Sequence, residues 1–223
     1  MRRVGKETHD TTRALTEQAQ RACLVAKDAA FNVKDYIANS SNIAFVAVKQ
    51  CEKELDEIER AIDESLPAAI TEVTEAEARQ LLACLKFITD LERIGDLMWS
   101  IAQRIHELSA KLPHEDARHL LNMAEVLQKM LEQVYEGFKG HNVDLAESVL
   151  RADSEIDHAC HSVFRRYMGN SSHGRRVDSI KMLLIAQAFE RAGDHTKNLA
   201  EEVVHLVRGH SLRHTSRSRL ERD

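Results

Sequence analysis

Eight carboxylates in this 223-residue chain stand in pairs four residues apart. They are Glu52 with Asp56, Glu92 with Asp96, Asp153 with Asp157, and Glu190 with Asp194. On a helix, residues at i and i+4 share a face, so each pair points one way. Two like charges 4 Å apart repel by about 4 kcal/mol at an effective dielectric of 20. A bound cation would relieve that repulsion, and oxygen donors favour Mg²⁺, Ca²⁺, Mn²⁺ or iron over zinc or Cu(I). Arg93 and Arg191 follow their glutamates by one residue, a quarter-turn away, and are expected to neutralise them poorly. Asn198 stands one further turn along and would extend the last stripe.

The pairs belong to a repeated pattern. Glu92-Arg93-Ile94-Gly95-Asp96 recurs as Glu190-Arg191-Ala192-Gly193-Asp194, 98 residues later. Val48, Glu52, Leu55 and Asp56 recur as Val149, Asp153, Ile156 and Asp157, 101 residues later. Such self-similarity is the mark of a duplicated unit. Antiparallel hairpins centred near Glu72 and Ser172 would set Glu52 level with Glu92, and Asp153 level with Glu190. Four carboxylates would then meet in each copy.

Helices must carry these pairs. The chain has 2 Pro, 8 Gly and 4% aromatic residues, too few for the turns and strands of a sandwich or barrel. Breaks mark six helical segments. The first spans about Glu7 to Ile37, with Leu15, Ala19, Ala22, Ala26, Ala30, Val33 and Ile37 on one face. The second follows Asn39-Ser40-Ser41-Asn42 and runs to about Ser65, with Pro67 at its boundary. The third spans about Glu75 to Lys111. A fourth starts at Pro113 with Leu120, Ala124, Leu127, Leu131, Val134 and Phe138 on one face. Gly140-His141-Asn142 and Gly169-Asn170-Ser171-Ser172 precede the fifth and sixth. Gly95 and Gly193 fall inside apolar seams, where a mid-helix glycine costs about 0.8–1 kcal/mol relative to alanine. A close neighbouring helix would account for both.

The expected fold is all-α, with residues 1–112 and 113–209 as two tandem three-helix bundles and 210–223 as a flexible basic tail. Formal net charge is -5, so no general attraction to nucleic acid is expected. The longest aliphatic runs, Ile43 to Val48 and Met182 to Ala186, are far below the ~20 residues of a membrane span. The N-terminus lacks a signal-like apolar run. Cys23, Cys51, Cys84 and Cys160 are widely spaced and read as buried free thiols of a reducing compartment.

These motifs resemble the PhoU family of phosphate-uptake regulators, whose two three-helix bundles each carry an E(D)xxxD metal motif. The fullest match runs from Glu190 to Glu201. The first copy departs after Asp96, having Leu97 for the family's usual His and Ser100 for its Asn. Val207 to His214 resembles the family's C-terminal ending. The resemblance implies a cytoplasmic, homodimeric adaptor without catalytic residues, binding iron or divalent metal at the acidic stripes. Its implied partners are the ATPase of a phosphate ABC transporter and the sensor kinase of the phosphate regulon.

Two other readings compete. Glu155-x-x-His158 and Glu202-x-x-His205 fit the Glu-x-x-His element of a di-iron carboxylate enzyme, although they are not equivalent in the two copies. A metal-free helical scaffold, its acids merely solvated or salt-bridged, is the other.

Overall fold

The computed structural model describes residues 2–169 and 176–209, all in helices and short connections. The helices are α1 (Arg2–Asn39), α2 (Asn42–Ala69), α3 (Glu75–His106), α4 (His114–Gly140), α5 (Val143–Gly169) and α6 (Arg176–Arg208). A 3-10 turn, Ile70–Glu72, joins α2 to α3. The basic segment 210–223 and most of the Gly169–Ser172 break lie outside the described residues. None of the described helices is long and apolar enough to cross a membrane.

Local chemistry sets the boundaries. Ser41 caps α2, its hydroxyl accepting from the Ala44 amide at 3.2 Å. Thr74 and Glu77 form a reciprocal capping box that starts α3. His141 takes a left-handed backbone (φ 50°) and ends α4, while Asn142 accepts from the Leu145 amide at the start of α5.

Three expected boundaries move, the first being the start of α1, at Arg2 rather than about Glu7. Pro67 lies inside the last turn of α2 rather than beyond it. A proline there forfeits only the bond to the carbonyl of Asp63, and both residues are exposed. The third helix stops at His106, short of Lys111, and residues 107–113 form a non-helical strap into α4.

All seven residues of the expected α1 face and all six of the α4 face are buried. Cys23, Cys84 and Cys160 are buried free thiols, whereas Cys51 is only half-buried. Each half packs its three helices together, and the halves join where α1 meets α4 and α3 meets α6. Both junctions are antiparallel. Lys27 pairs with Glu132 and Lys34 with Glu125, while Lys86 pairs with Glu202 and Asp90 with His195. The stacked rings of Phe87 and Phe138, 4.1 Å apart, tie α3 to α4. Equivalent helices thus meet head to tail across a near two-fold axis.

Four helices (α1, α3, α4, α6) form the centre. α2 packs chiefly on α1 and α3, and α5 on α4 and α6. The α2–α3 and α5–α6 grooves therefore both open away from α1 and α4, with the α3–α6 pair between them.

Candidate metal centres in the two carboxylate grooves

Gly95 and Gly193 bring the grooves into being. A methyl group at Gly95 would lie 2.5 Å from Leu55 Cδ1 and 3.7 Å from the Glu52 backbone. At Gly193 it would meet Ile156 Cδ1 at 3.2 Å and Asp153 Oδ1 at 3.5 Å. Leu55 and Ile156 are equivalent in the duplication, so both glycines serve one purpose, close approach of the partner helix. They also fix the register. Glu52 lies level with Gly95, and Asp153 with Gly193, about one turn from the expected pairing of Glu52 with Glu92 and Asp153 with Glu190.

That slip decides which carboxylates meet. One oxygen each from Glu52, Asp56 and Asp96 lies within 4.8 Å of the others. Glu92 sits deeper in the same groove, its side chain 13% exposed. Burial first, then Asp96, Glu59 and Asp56, push its carboxyl up to about 7 despite Arg93. Glu52 is raised by burial and then by Asp56 and Asp96. Glu59 and Asp63 continue the α2 face beyond Asp56, and Glu59 is raised by burial and then by Asp63. Their spacing from Glu52, seven and eleven residues, was the available sequence signal. Arg93 is better placed than its position predicts. Its Nε is 3.4 Å from Glu92 Oε2 and its Nη1 3.4 Å from Asp96 Oδ2. Even so, buried Glu92 Oε2 accepts no hydrogen bond. A groove of oxygen donors with one buried oxygen unsatisfied fits a hard cation.

The α5–α6 groove is closed by a lysine. Lys197 Nζ donates to Asp153 Oδ2 at 3.0 Å, with Asp153 buried at 3% exposure. That bond holds Lys197 above its ordinary pKa. Glu190 is raised by burial and then by Asp194, Asp157 and Asp153. Asp194 is raised by burial and then by Asp153, with Lys197 opposing. Among the described residues no carboxylate triple of the first kind forms here. Asn198 donates its amide to Asp90 of α3 at 3.4 Å. His195 meets the same Asp90 oxygen at 2.7 Å. Lys197 was legible as the residue three beyond Asp194, but its target on the facing helix was not.

The Glu-x-x-His elements do not face a common centre. Glu155 and His158 are exposed. Glu202 pairs with Lys86 at 2.8 Å and with its own neighbour His205 at 3.5 Å.

Fold and site together define a class: a duplicated three-helix protein that joins its halves through equivalent helices and carries a carboxylate groove on each. The PhoU domain profile matches residues 20–105 and again 120–203. The chain belongs to the PhoU family. It is 31% identical over 164 residues to "Phosphate-specific transport system accessory protein PhoU homolog 1" of Thermotoga maritima, covering 71% of each chain. It is 31% identical over 180 residues to the PhoU homolog of a Burkholderia species, covering 78% of this chain and 77% of that one. The crystal structure of the phosphate transport system regulatory protein PhoU from Streptococcus pneumoniae superposes with a TM-score of 0.77. That likeness covers 92% of this chain and 97% of the other at 20% identity, and it bears on the fold alone.

Proposed function

We propose that this protein is a non-enzymatic regulatory adaptor of phosphate transport whose α2–α3 groove holds a cation. The observation that carries the cation site is the convergence of Glu52, Asp56 and Asp96 around one point, set by the helix approach at Gly95. Family membership and the relatives' names support the phosphate-transport role. Glu52, Asp56 and Asp96 would hold the ion, with Glu92 completing the donor set from α3. The cation, Mg²⁺, Ca²⁺, Mn²⁺ or iron, supplies positive charge that offsets carboxylate repulsion. The chain's own residues do the rest. Gly95 keeps the two helices close, and Arg93 screens the outer rim. The groove then presents α2 and α3 in one fixed arrangement for docking.

In this reading the protein works in the cytoplasm as a homodimer. It damps phosphate uptake by contacting the transporter ATPase and the phosphate-sensor histidine kinase. Asp157, Glu190, Asp194 and Asn198 would form a second, weaker cation site, since Lys197 already occupies Asp153. A metal-free scaffold is the competing reading for that half, favoured by the Lys197–Asp153 bond itself.

Purification without chelator, followed by elemental analysis, tests the site. Wild type should retain more metal than a variant with alanine at Glu92, Asp96, Glu190 and Asp194, and equal contents would refute it. Retention of the transporter ATPase or the sensor kinase in a pull-down tests the adaptor role. Loss of both partners would leave the fold without this function.

A further inference from the structure

The two halves act as internal controls for each other, and they differ at the bundle end where α4 and α6 begin and α5 finishes. Aligning the α1 and α4 seams, Ala19 with Leu120 through Ile37 with Phe138, sets Leu15 opposite Asp116. The other offsets set Leu66 opposite Tyr167, Leu81 opposite Ser179 and Cys84 opposite Met182. In the first half these positions are apolar and buried, with Leu15 and Leu81 at 2% and 0% exposure. In the second half a carboxylate and a phenol replace two leucines, and a cavity of about 160 Å³ opens beside them.

Leu108, Leu112 and Met182 form apolar wall, while Asp116, Arg166 and Tyr167 supply the polar end. Asp116 is fully buried, and Tyr167 donates to its Oδ2 at 2.6 Å. Arg166 Nε stands 3.3 Å from Asp116 Oδ1 without hydrogen-bond geometry, so both buried atoms are left unsatisfied. Burying unsatisfied polar atoms costs stability, and a leucine at position 116 would avoid that cost, as Leu15 does.

We infer that this cavity is a binding site for a small uncharged alcohol or phenol about the size of benzene. Size follows from volume, since an apolar cavity of roughly 150 Å³ accommodates benzene. Neutrality follows from charge, because the wall carries Asp116 and Asp178 against Arg166 and Lys111, so an ion of either sign would meet a like charge. The hydroxyl follows from the two unsatisfied atoms. Both atoms are closed to water as the side chains stand, so one oxygen can accept from Arg166 Nε and donate to Asp116 Oδ1 only after Arg166 moves aside. Arg166, 21% exposed with its outer end on Glu115, is the member that can turn to admit it.

The test uses the full chain labelled at its methionine methyls, with Met182 assigned by Met182→Leu. Phenol should shift the Met182 methyl signal saturably, and toluene should bind about tenfold more weakly or worse, as expected for a lost hydrogen bond to a charged group. Asp116→Asn should reduce the preference for phenol over toluene. Asp116→Leu should remove it while helix content is unchanged. Equal binding of phenol and toluene by wild type, or no Met182 shift with either, would overturn the site. The comparison within wild type needs no variant to fold.

Discussion

The α2–α3 and α5–α6 grooves descend from one design, and one ammonium now sets their carboxylates apart. Both carry the Glu-x-x-x-Asp pair on the inner helix, matching acids on the outer helix, and a glycine at the crossing. Position for position, Lys197 in the second groove stands where the first has Trp99. Lys197 reaches Asp153, whereas Trp99 lies under Lys49 with the ammonium 5.6 Å above its ring. One groove thus neutralises its deepest carboxylate internally, and the other leaves three carboxylates facing each other. The second copy matches the family motif more fully, yet the first gathers its oxygens more closely. A motif identifies carboxylates; the residue three positions further on decides whether they remain free to take a cation.

The largest expected effect comes from adding a cation. At a hundredfold excess over the dissociation constant, binding stabilises by about 2.7 kcal/mol. For a chain of this size that raises Tm by roughly 5–10 °C. Differential scanning calorimetry with Mn²⁺ should show that rise in wild type and in Asp153→Asn, but not in Asp56→Asn or Asp96→Asn. A loss confined to the second-groove variant would invert the comparison.

Next, Lys197→Ala should convert the second groove into the first. Removing the ammonium leaves Asp153 buried and unpaired, costing about 1–2 kcal/mol once the partial exposure of Lys197 is allowed for. The variant should gain cation binding, read as higher metal stoichiometry by elemental analysis. Unchanged stoichiometry would mean that Lys197 is not what separates the grooves.

A smaller effect follows from pH. Glu92 is raised in the folded state from 4.5 to about 7, so folding favours its protonated form. The associated stability is fully present below pH 4.5 and is lost as pH rises through about 7. Cation-free protein should therefore melt a few degrees (~2–4 °C) higher at pH 5.5 than at pH 8. Glu92→Gln should flatten that dependence more than Glu190→Gln.

The smallest effect separates the glycines. Alanine gains about 1 kcal/mol of helix propensity at either site. At Gly95 it must also displace Leu55 from a filled core, an overpacking cost of about 1–3 kcal/mol. Gly193→Ala needs only a few tenths of an ångström from Ile156. Urea denaturation should find Gly95→Ala less stable than Gly193→Ala by about 1 kcal/mol.

Much of this was legible in the sequence, for physical reasons. Apolar residues at helical spacing identified the buried faces of α1 and α4 because burial follows that period, and paired offsets exposed the duplication. Register was less accessible. Hairpin centring cannot resolve one turn, and the exchange of Asp96 for Glu92 opposite Glu52 depends on where Gly95 lets Leu55 lie. Pro67 was misplaced because a proline disturbs a helix little in its last turn. Partners across helices, such as Lys197 on Asp153 or His195 on Asp90, leave no local trace. Asp116 escaped notice because an acid in the first turn of a helix is ordinary, and only its burial makes it unusual.

The head-to-tail meeting of α1 with α4 and α3 with α6 has a consequence for chain connectivity. A seam between equivalent surfaces can form between two molecules as readily as within one. The strap at 107–113 is the single link that selects the internal arrangement. Shortening it should favour exchange of halves between chains, yielding a domain-swapped pair with the same contacts. In that sense the molecule is a homodimer made covalent, whose two members have since been free to diverge, one keeping an open carboxylate groove and the other a small cavity.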